Sequence, residues 1–430
     1  DEQQRKSREK LQRQLNLGIA PIPYAWRPRN VLDSVSELPT LWEISKRSSW
    51  GARHLHLTMA INEWTAMEPA KMRGQVPLLD LLSLMVISDL DLFEPLFKLF
   101  PKIAIGKATM MELQRLLAPL AGSLYRNKLL PIQAALKAHF ADIEQPEAVP
   151  LSDEPFINAH WDSLEIVEIA KSGKYLIYSD DTLFRIYSQQ PSICTLDVLC
   201  ALDDAGELSP REAAIKIATL CSWRVGLSIT PRHQLAILPD TLGAAKSIHE
   251  GIAAMSADEH CNALFSGIWN IEKPFGNLLG HAGVVLRQLA DDNKNSIKSV
   301  AALAGFWLGK VMLHKEAPAP RDRLAALLIA QAAFVEQRMT ADAAHRLWNV
   351  YGDLIEDTHG DYMDDQKLWQ SFGILGEVAA ESDKRYSLSG ERSLLTRLSS
   401  GLTRGTNDYD LFNRAYTAKL TSLGRQEQGR

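Results

Sequence analysis

The sequence has few cysteines, and they are not arranged to bind a metal. The four are Cys194, Cys200, Cys221 and Cys261. No two of them form a C-x-x-C pair, and no histidine cluster lies near them. A disulfide framework or a zinc site is therefore not expected, and a reducing compartment fits this cysteine usage best. We expect a cytoplasmic location.

Long apolar runs are also missing. Spanning a bilayer takes roughly 18 to 20 apolar residues, and Asp80, Asp89 and Asp91 interrupt the longest candidate at 76–100. We therefore expect no membrane association. The chain begins DEQQRKSREK, which is charged and lacks an initiator Met. We expect no signal peptide, and either a piece of a longer polypeptide or a chain whose start is disordered or removed.

The sequence also lacks an excess of positive charge. The 430 residues carry a formal net charge of -5, so any nucleic-acid site must be a local patch. Hydrophobic residues make up 46% and charged residues 23%, which is typical of a globular protein. The length favours two or three domains.

Short apolar runs alternate with helical patterns in the middle of the chain. They lie at 75–80, 102–106, 174–179 and 225–229, and such alternation predicts an α/β domain with a parallel sheet. We place this domain at 74–235. An irregular, partly helical entry segment at 1–73 would precede it, and an all-helical C-terminal region at 236–430 would follow.

Acidic residues accompany three of these predicted strands and the helix before the third. In chain order they are Asp80, Glu112, Asp162, Glu165, Asp180 and Asp181. The carboxyl ends of parallel strands meet at one edge of a sheet. Carboxylates gathered there repel one another unless a divalent cation neutralises them, and Mg²⁺ or Mn²⁺ prefers oxygen ligands. The joint pattern is typical of a metal-dependent nuclease.

Each acid taken alone has a structural interpretation as well. An Asp at a strand-to-helix junction is a common N-cap. Asp180 or Asp181 could simply cap the helix that begins at TLFRIYS. The functional interpretation therefore depends on the acids occurring together, in the order expected of one site.

Six segments between residues 76 and 232 resemble those of a known family. They are PLLDLLSL, DLDLFEPLF, KIAIGKATMMEL, DSLEIVEIA, LIYSDDTLFR and TLDVLCALDDAGELS. In this order they resemble a PIN domain, the metal-dependent ribonuclease fold. More loosely, the chain resembles PIN domains embedded in large multidomain proteins of bacterial conflict systems, which suggests a role in bacterial defence.

The resemblance implies an endoribonuclease that uses Mg²⁺ or Mn²⁺. It implies that Asp80 is the first metal ligand, that Glu112 is the second acid and that Asp180 or Asp181 is the fourth. Our hypothesis is that Asp80, Asp180 and Asp181 hold the metal. The third acid is either Asp162 or Glu165, which lie one helical turn apart. RNA is the expected substrate, ahead of single-stranded DNA.

Arg185 is the candidate substrate-binding residue, because it follows Asp181 by four positions and shares its helix face. It could orient the carboxylate or contact a phosphate. The alternative function is a catalytically silent PIN-fold scaffold whose helical C-terminal half binds protein partners. A nuclease needs its acids within about 4 to 6 Å of one another around open solvent, whereas a scaffold does not.

Overall fold

The structure is a computed structural model that describes only part of the chain. The longer described ranges are 22–30, 37–48, 74–118, 126–150, 160–223, 231–245, 248–267 and 407–428, with single residues and short stretches elsewhere. The chain divides into two compact units, Asp1–Ser228 and Ile229–Arg430. The first unit holds the sheet.

The sheet of the first unit has five parallel strands. They are β1 (Val76–Leu79), β2 (Ile103–Ile105), β3 (Ile143–Glu144), β4 (Tyr175–Tyr178) and β5 (Ser192–Ile193). Their order across the sheet is β3-β2-β1-β4-β5. In the central pairings Leu79 lies opposite both Ile105 and Tyr178. This confirms the expected α/β class with a parallel sheet.

Eleven helices are described in the first unit. They are α1 (Arg27–Asn30), α2 (Leu38–Arg47), α3 (Pro69–Met72), α4 (Leu81–Asp89), α5 (Phe93–Leu99), α6 (Lys107–Leu117), α7 (Arg126–Ala138), α8 (Trp161–Ala170), α9 (Thr182–Ser188), α10 (Thr195–Asp204) and α11 (Pro210–Ser222).

The central strands are buried on both faces. Leu78, Ala104 and Ile177 pack with α8 residues in one hydrophobic cluster. Their strand neighbours point to the opposite face, and Leu79 and Tyr178 there are also fully buried. Strands of a parallel sheet that are buried on both faces have short, continuous apolar sequences. For this reason VPLL, IAI and YLIY could be recognised as strands from the sequence.

Local capping chemistry explains where several helices begin. Asp80 accepts a hydrogen bond from the Ser83 backbone N–H and so caps α4. Ser209 and Glu212 form a capping box at α11. Such caps satisfy backbone N–H groups that have no partner within the helix.

The sheet differs from the predicted one at its edges. Strands β3 and β5 have only two residues each and were not predicted. The expected strand at 225–229 is not part of the described sheet: Val225 is buried but lies outside any strand. Residues 226–230 lie outside the described residues.

All the elements described in the second unit are helices. They are α12 (Pro231–Leu242), α13 (Ile248–Ala257), α14 (Glu259–Gly267) and α15 (Asn407–Gln428). Four residues that an all-helical C-terminal region would bury, Leu324, Leu327, Leu328 and Phe334, lie outside the described residues. No helix in the described part of the chain is long and apolar enough to cross a membrane.

Candidate functional site

The strand order reverses between β1 and β4, at the centre of the sheet. From β1 the chain moves to β2 and β3 on one side, and then crosses to β4 and β5 on the other. Such a switch point opens a crevice outside the carboxyl ends of the two strands, where α/β proteins bind ligands. Asp80 directly follows β1, and Ser179, Asp180 and Asp181 directly follow β4. We call these four residues the switch-point group.

Asp80 is the partly exposed residue of this group, whereas Ser179, Asp180 and Asp181 are buried. Its Oδ1 accepts a hydrogen bond of 2.7 Å from the Ser83 backbone N–H, and its Oδ2 accepts one from the Ser179 hydroxyl. Burial raises the pKa of Asp80 to about 7, the nearby Asp180 charge adds to this, and the hydrogen bonds oppose it. The Asp80 carboxyl group is thus more easily protonated than an ordinary aspartate.

Asp180 is buried, and its carboxylate connects β4 to α10. Thr195 donates to it twice, from its backbone N–H at 2.8 Å and from its hydroxyl at 2.6 Å. The Asp180 backbone N–H donates in turn to the Ser83 hydroxyl at 3.0 Å. Burial raises the pKa of Asp180, against the hydrogen bonds from Thr195 and the charge of Arg185.

Asp181 caps α9, as the structural interpretation of this residue predicted. Its Oδ1 accepts from the backbone N–H groups of Leu183 at 3.1 Å and Phe184 at 3.2 Å. Its Oδ2 accepts from the backbone N–H of Tyr24, far away in sequence. Burial raises the pKa of Asp181, and the charge of Arg27 opposes that rise.

Arg185 lies behind these acids on α9. Its Nη2 donates to the Thr182 hydroxyl at 3.1 Å. The Arg185 Nε atom is buried, and this atom has no hydrogen-bond partner among the described residues. Since its charge lowers the pKa of Asp180, Arg185 acts electrostatically on the switch-point group.

The other three predicted acids line a cleft between α6 and α8. The cleft has a volume of about 560 Å³ and is lined by Glu112, Asp162 and Glu165, with Lys107 and Trp161 among its other residues. We call these three acids the cleft group. They come from the two helices whose N-terminal turns lie beside the end of β2.

Glu165 and Glu112 are held by hydrogen bonds within the chain. Glu165 Oε2 accepts from the Ala108 backbone N–H at 2.7 Å, and it would lie 2.5 Å from a Cβ atom at Gly106. Burial raises the pKa of Glu165. Glu112 accepts two hydrogen bonds from Arg115, at 2.7 and 2.8 Å.

The switch-point group and Glu165 lie at the carboxyl edge of the sheet. Because Leu79 is paired with Ile105, Asp80 and Gly106 follow neighbouring strands at the same level, about 4.8 Å apart in strand spacing. The Glu165 carboxylate therefore lies one strand away from Asp80. In the part of the chain that the structure describes, however, no three His, Cys, Asp or Glu side chains form a group that could hold a metal ion.

The residues that sequence reasoning missed are mostly neutral hydrogen-bond donors. Ser83 and Ser179 bond to Asp80, and Thr195 bonds to Asp180. Ser83 had a signal, because it stands three residues after a strand-ending Asp, the spacing of an N-cap interaction. No sequence signal pointed to Thr195. Its contact with Asp180 depends on the position of β5, and a strand of two residues shows no recognisable sequence pattern.

Comparisons of the chain with models of protein families, with curated proteins and with solved structures found no match. What the chain does must therefore be argued from the carboxyl edge of the sheet.

Proposed function

We propose that the first unit is a PIN-like, metal-dependent endonuclease that cleaves RNA at the carboxyl edge of the sheet. The observation that carries this proposal is the place of Asp80, a partly exposed residue at the switch point whose carboxyl group lies near the charge of Asp180. A metal-dependent nuclease would explain why Asp80 and Asp180 follow the adjacent parallel strands β1 and β4.

The donor set of the switch-point group fits Mg²⁺ or Mn²⁺. Mg²⁺ is commonly bound by one or two carboxylates together with waters and substrate phosphates, so Asp80 and Asp180 would suffice without a three-residue cage. When bound, such an ion lowers the pKa of a coordinated water and stabilises charge on a phosphodiester. It would also favour the ionised form of Asp80, which the bare site disfavours.

The chain's own residues divide the remaining work. Ser83 and Ser179 hold the Asp80 carboxylate in a fixed orientation through its two oxygens. Thr195 does the same for Asp180. Arg185 adds positive charge behind the acids, and Lys107 adds it at the start of α6, beside Glu165. These two cations would offset the repulsion between the acids and an approaching phosphate.

A cleavage assay with labelled single-stranded RNA and DNA tests the proposal. With Mn²⁺ present, we expect the wild type to cut RNA, and Asp80→Asn to lose that activity by orders of magnitude while remaining folded. Asp91→Asn is the matched control. Asp91 is exposed and has a φ of 51°, a conformation that Asn tolerates. Cutting of DNA alone would change the proposed substrate. Undiminished cutting by Asp80→Asn would refute the proposed site.

A second candidate function is the catalytically silent scaffold. One observation favours it: Asp181 and Glu112 are engaged in an N-cap and an ion pair, and Asp180 is buried with both oxygens hydrogen-bonded. In that case the only role of these acids is to stabilise the fold. The protein would then bind partners through its helical C-terminal half. Metal would then change neither stability nor cleavage.

A further inference from the structure

The cleft between α6 and α8 has the size and the mixed lining of a ligand pocket. Its volume of about 560 Å³ lies within the range of about 300 to 1,000 Å³ that is typical of small-molecule sites. Trp161, Met111 and Val149 give it apolar walls, and Lys107 and Glu165 give it charges of both signs. Cleavage at the switch point does not use these apolar walls.

Two hydrogen bonds join α6 to α8 at the cleft. The Ala108 backbone N–H donates to Glu165 Oε2 at 2.7 Å, and the Thr109 hydroxyl donates to the Asp162 carbonyl oxygen at 3.3 Å. Thr109 is 1% exposed and Glu165 is 2% exposed. The two helices that line the cleft are therefore held together by the fold itself, before any ligand enters.

Glu165 offers the cleft a hydrogen-bond acceptor that the fold leaves open. Ala108 donates to its Oε2, and no group among the described residues donates to its Oε1. An ionised carboxylate has about four acceptor positions, so Glu165 has room for two more donors. Glu112, in contrast, accepts from Arg115 with both oxygens. A ligand that carries N–H donors would complete the hydrogen bonding of the buried Glu165 carboxylate.

Positive charge at the cleft argues against a cationic ligand. Lys107 is exposed in the first turn of α6, and its charge acts on Glu165. The first turns of α6 and α8 both line the cleft, and a helix N-terminus carries a partial positive charge. A ligand that suits this lining is neutral where it meets Glu165 and anionic where it meets Lys107.

A nucleotide of RNA combines these two properties. Its phosphate is anionic, and its flat base stacks on aromatic side chains such as that of Trp161. Guanine presents two N–H donors side by side on its Watson–Crick edge, N1–H and the 2-amino group, and a carboxylate can accept both. The other three bases place an acceptor beside each donor on that edge, and this acceptor would face a carboxylate oxygen.

The cleft also lies close to the proposed cleavage site. Glu165 bonds to Ala108, two residues after Gly106, and Asp80 and Gly106 follow neighbouring strands at the same level. A base held at Glu165 would therefore belong to a nucleotide close to the phosphodiester at Asp80.

We propose that the cleft is a guanine-binding subsite. In it Glu165 accepts from guanine N1–H and the 2-amino group, Trp161 stacks on the base, and Lys107 contacts a flanking phosphate. This inference rests on the proposed function, because the guanine belongs to the RNA strand that is cut. Glu165 then determines where the strand is cut and does not hold a metal.

Equilibrium binding of nucleoside monophosphates without metal tests the subsite. We expect the wild type to bind guanosine monophosphate (GMP) about tenfold or more tightly than the adenosine, cytidine or uridine monophosphate. Inosine monophosphate, which lacks the 2-amino group, should also bind about tenfold more weakly than GMP. Asp80→Asn should bind GMP as the wild type does, because Asp80 does not line the cleft.

Two substitutions separate recognition of the base from stacking. Glu165→Gln keeps an oxygen for the Ala108 N–H but places an NH₂ donor against the guanine donors, so the preference for GMP should disappear. Trp161→Ala should weaken binding of all four nucleotides alike, by about tenfold. Glu168→Gln is the matched control on α8: Glu168 is exposed and pairs with Lys171 at 2.6 Å, so GMP affinity should not change.

The outcomes separate the subsite from the proposed function. If GMP binds no more tightly than the other nucleotides, or Glu165→Gln keeps the preference, the subsite is refuted and cleavage at Asp80 remains open to its own test. Tighter binding of free arginine than of GMP would also refute it. Selective GMP binding by a protein that cuts no RNA would support the subsite and count against the proposed cleavage. Selective binding that is lost in Glu165→Gln, with cuts mapped next to guanine, supports both.

Discussion

At the residue scale, the acids of the carboxyl edge differ in what their oxygens already bond to. Asp180 is satisfied twice by Thr195, and Glu165 binds the Ala108 backbone N–H. Asp80 accepts from two serines but stays partly exposed. These differences matter for ligand binding. A carboxylate whose oxygens already accept hydrogen bonds within the chain must lose one of them before it can bind a ligand.

Gly106 provides a test of how Glu165 is seated. Its φ of -62° suits any residue, so the constraint there is steric. A Cβ atom would lie 2.5 Å from Glu165 Oε2 and would push the carboxylate off the Ala108 N–H. We expect Gly106→Ala to lower the free energy of unfolding by about 1 to 3 kcal/mol, measured by urea denaturation.

Gly424→Ala is the matched control for this substitution. Gly424 lies in α15, and a Cβ atom there would meet nothing within 4 Å. Alanine should therefore be neutral or stabilising by up to about 1 kcal/mol. Equal stability changes at the two glycines would show that Glu165 does not occupy the position described.

The sequence predicted the acids of the carboxyl edge better than their partners. Asp80 and Asp180 were found because each follows an apolar run. The contact of Tyr24 with Asp181 could not be found, since it joins residues 157 positions apart through a backbone N–H that any residue other than proline possesses. Long-range contacts of this kind leave no local pattern.

At the element scale, the length of a strand decided whether it could be predicted. β1 and β4 have four residues each, all of them apolar or aromatic. β3 and β5 have two residues each and include Glu144 and Ser192. Two residues cannot show a period, so these edge strands are specified by their pairing with β2 and β4 and not by their own composition.

Helix α2 is attached to the sheet domain by a buried lysine. Lys46 Nζ lies 2.6 Å from Glu43 Oε1 and 2.7 Å from Asp89 Oδ2, and its side chain is only 8% exposed. The Trp42 and Trp223 rings lie 5.5 and 5.2 Å from the same Nζ atom. The Trp42 Nε1–H also donates to Asp89 Oδ2 at 2.8 Å.

Lys46→Met should therefore detach or loosen α2. The substitution keeps the apolar stem but leaves Glu43 and Asp89 buried without their cation. Breaking a buried pair in this way costs about 3 to 5 kcal/mol. Arg47→Met is the control: Arg47 is 80% exposed and 3.6 Å from Glu43, so its loss should cost at most about 1 kcal/mol. Denaturation curves that place both variants within 1 kcal/mol of the wild type would contradict this account.

At the scale of the whole molecule, the first unit begins well before the predicted α/β domain. The sequence suggested an irregular, partly helical entry segment at 1–73, and in the structure Tyr24 and Trp42 of this segment donate hydrogen bonds to Asp181 and Asp89 of the sheet domain. Polar and proline-rich segments lack periodicity, so their attachment to a core is visible only in three dimensions. The carboxyl edge of the sheet therefore includes a contact from this early part of the chain, at Tyr24.

The most direct test of the central claim is thermal melting with and without Mn²⁺. A ligand that binds only the folded state at a hundred times its Kd adds about 2.7 kcal/mol, which for a unit of this size raises Tm by roughly 5 to 10 °C. We predict such a rise for the wild type and Asp91→Asn, and loss of most of it in Asp80→Asn. An unchanged Tm in the wild type, or an equal rise in Asp80→Asn, would contradict a metal site at the switch point.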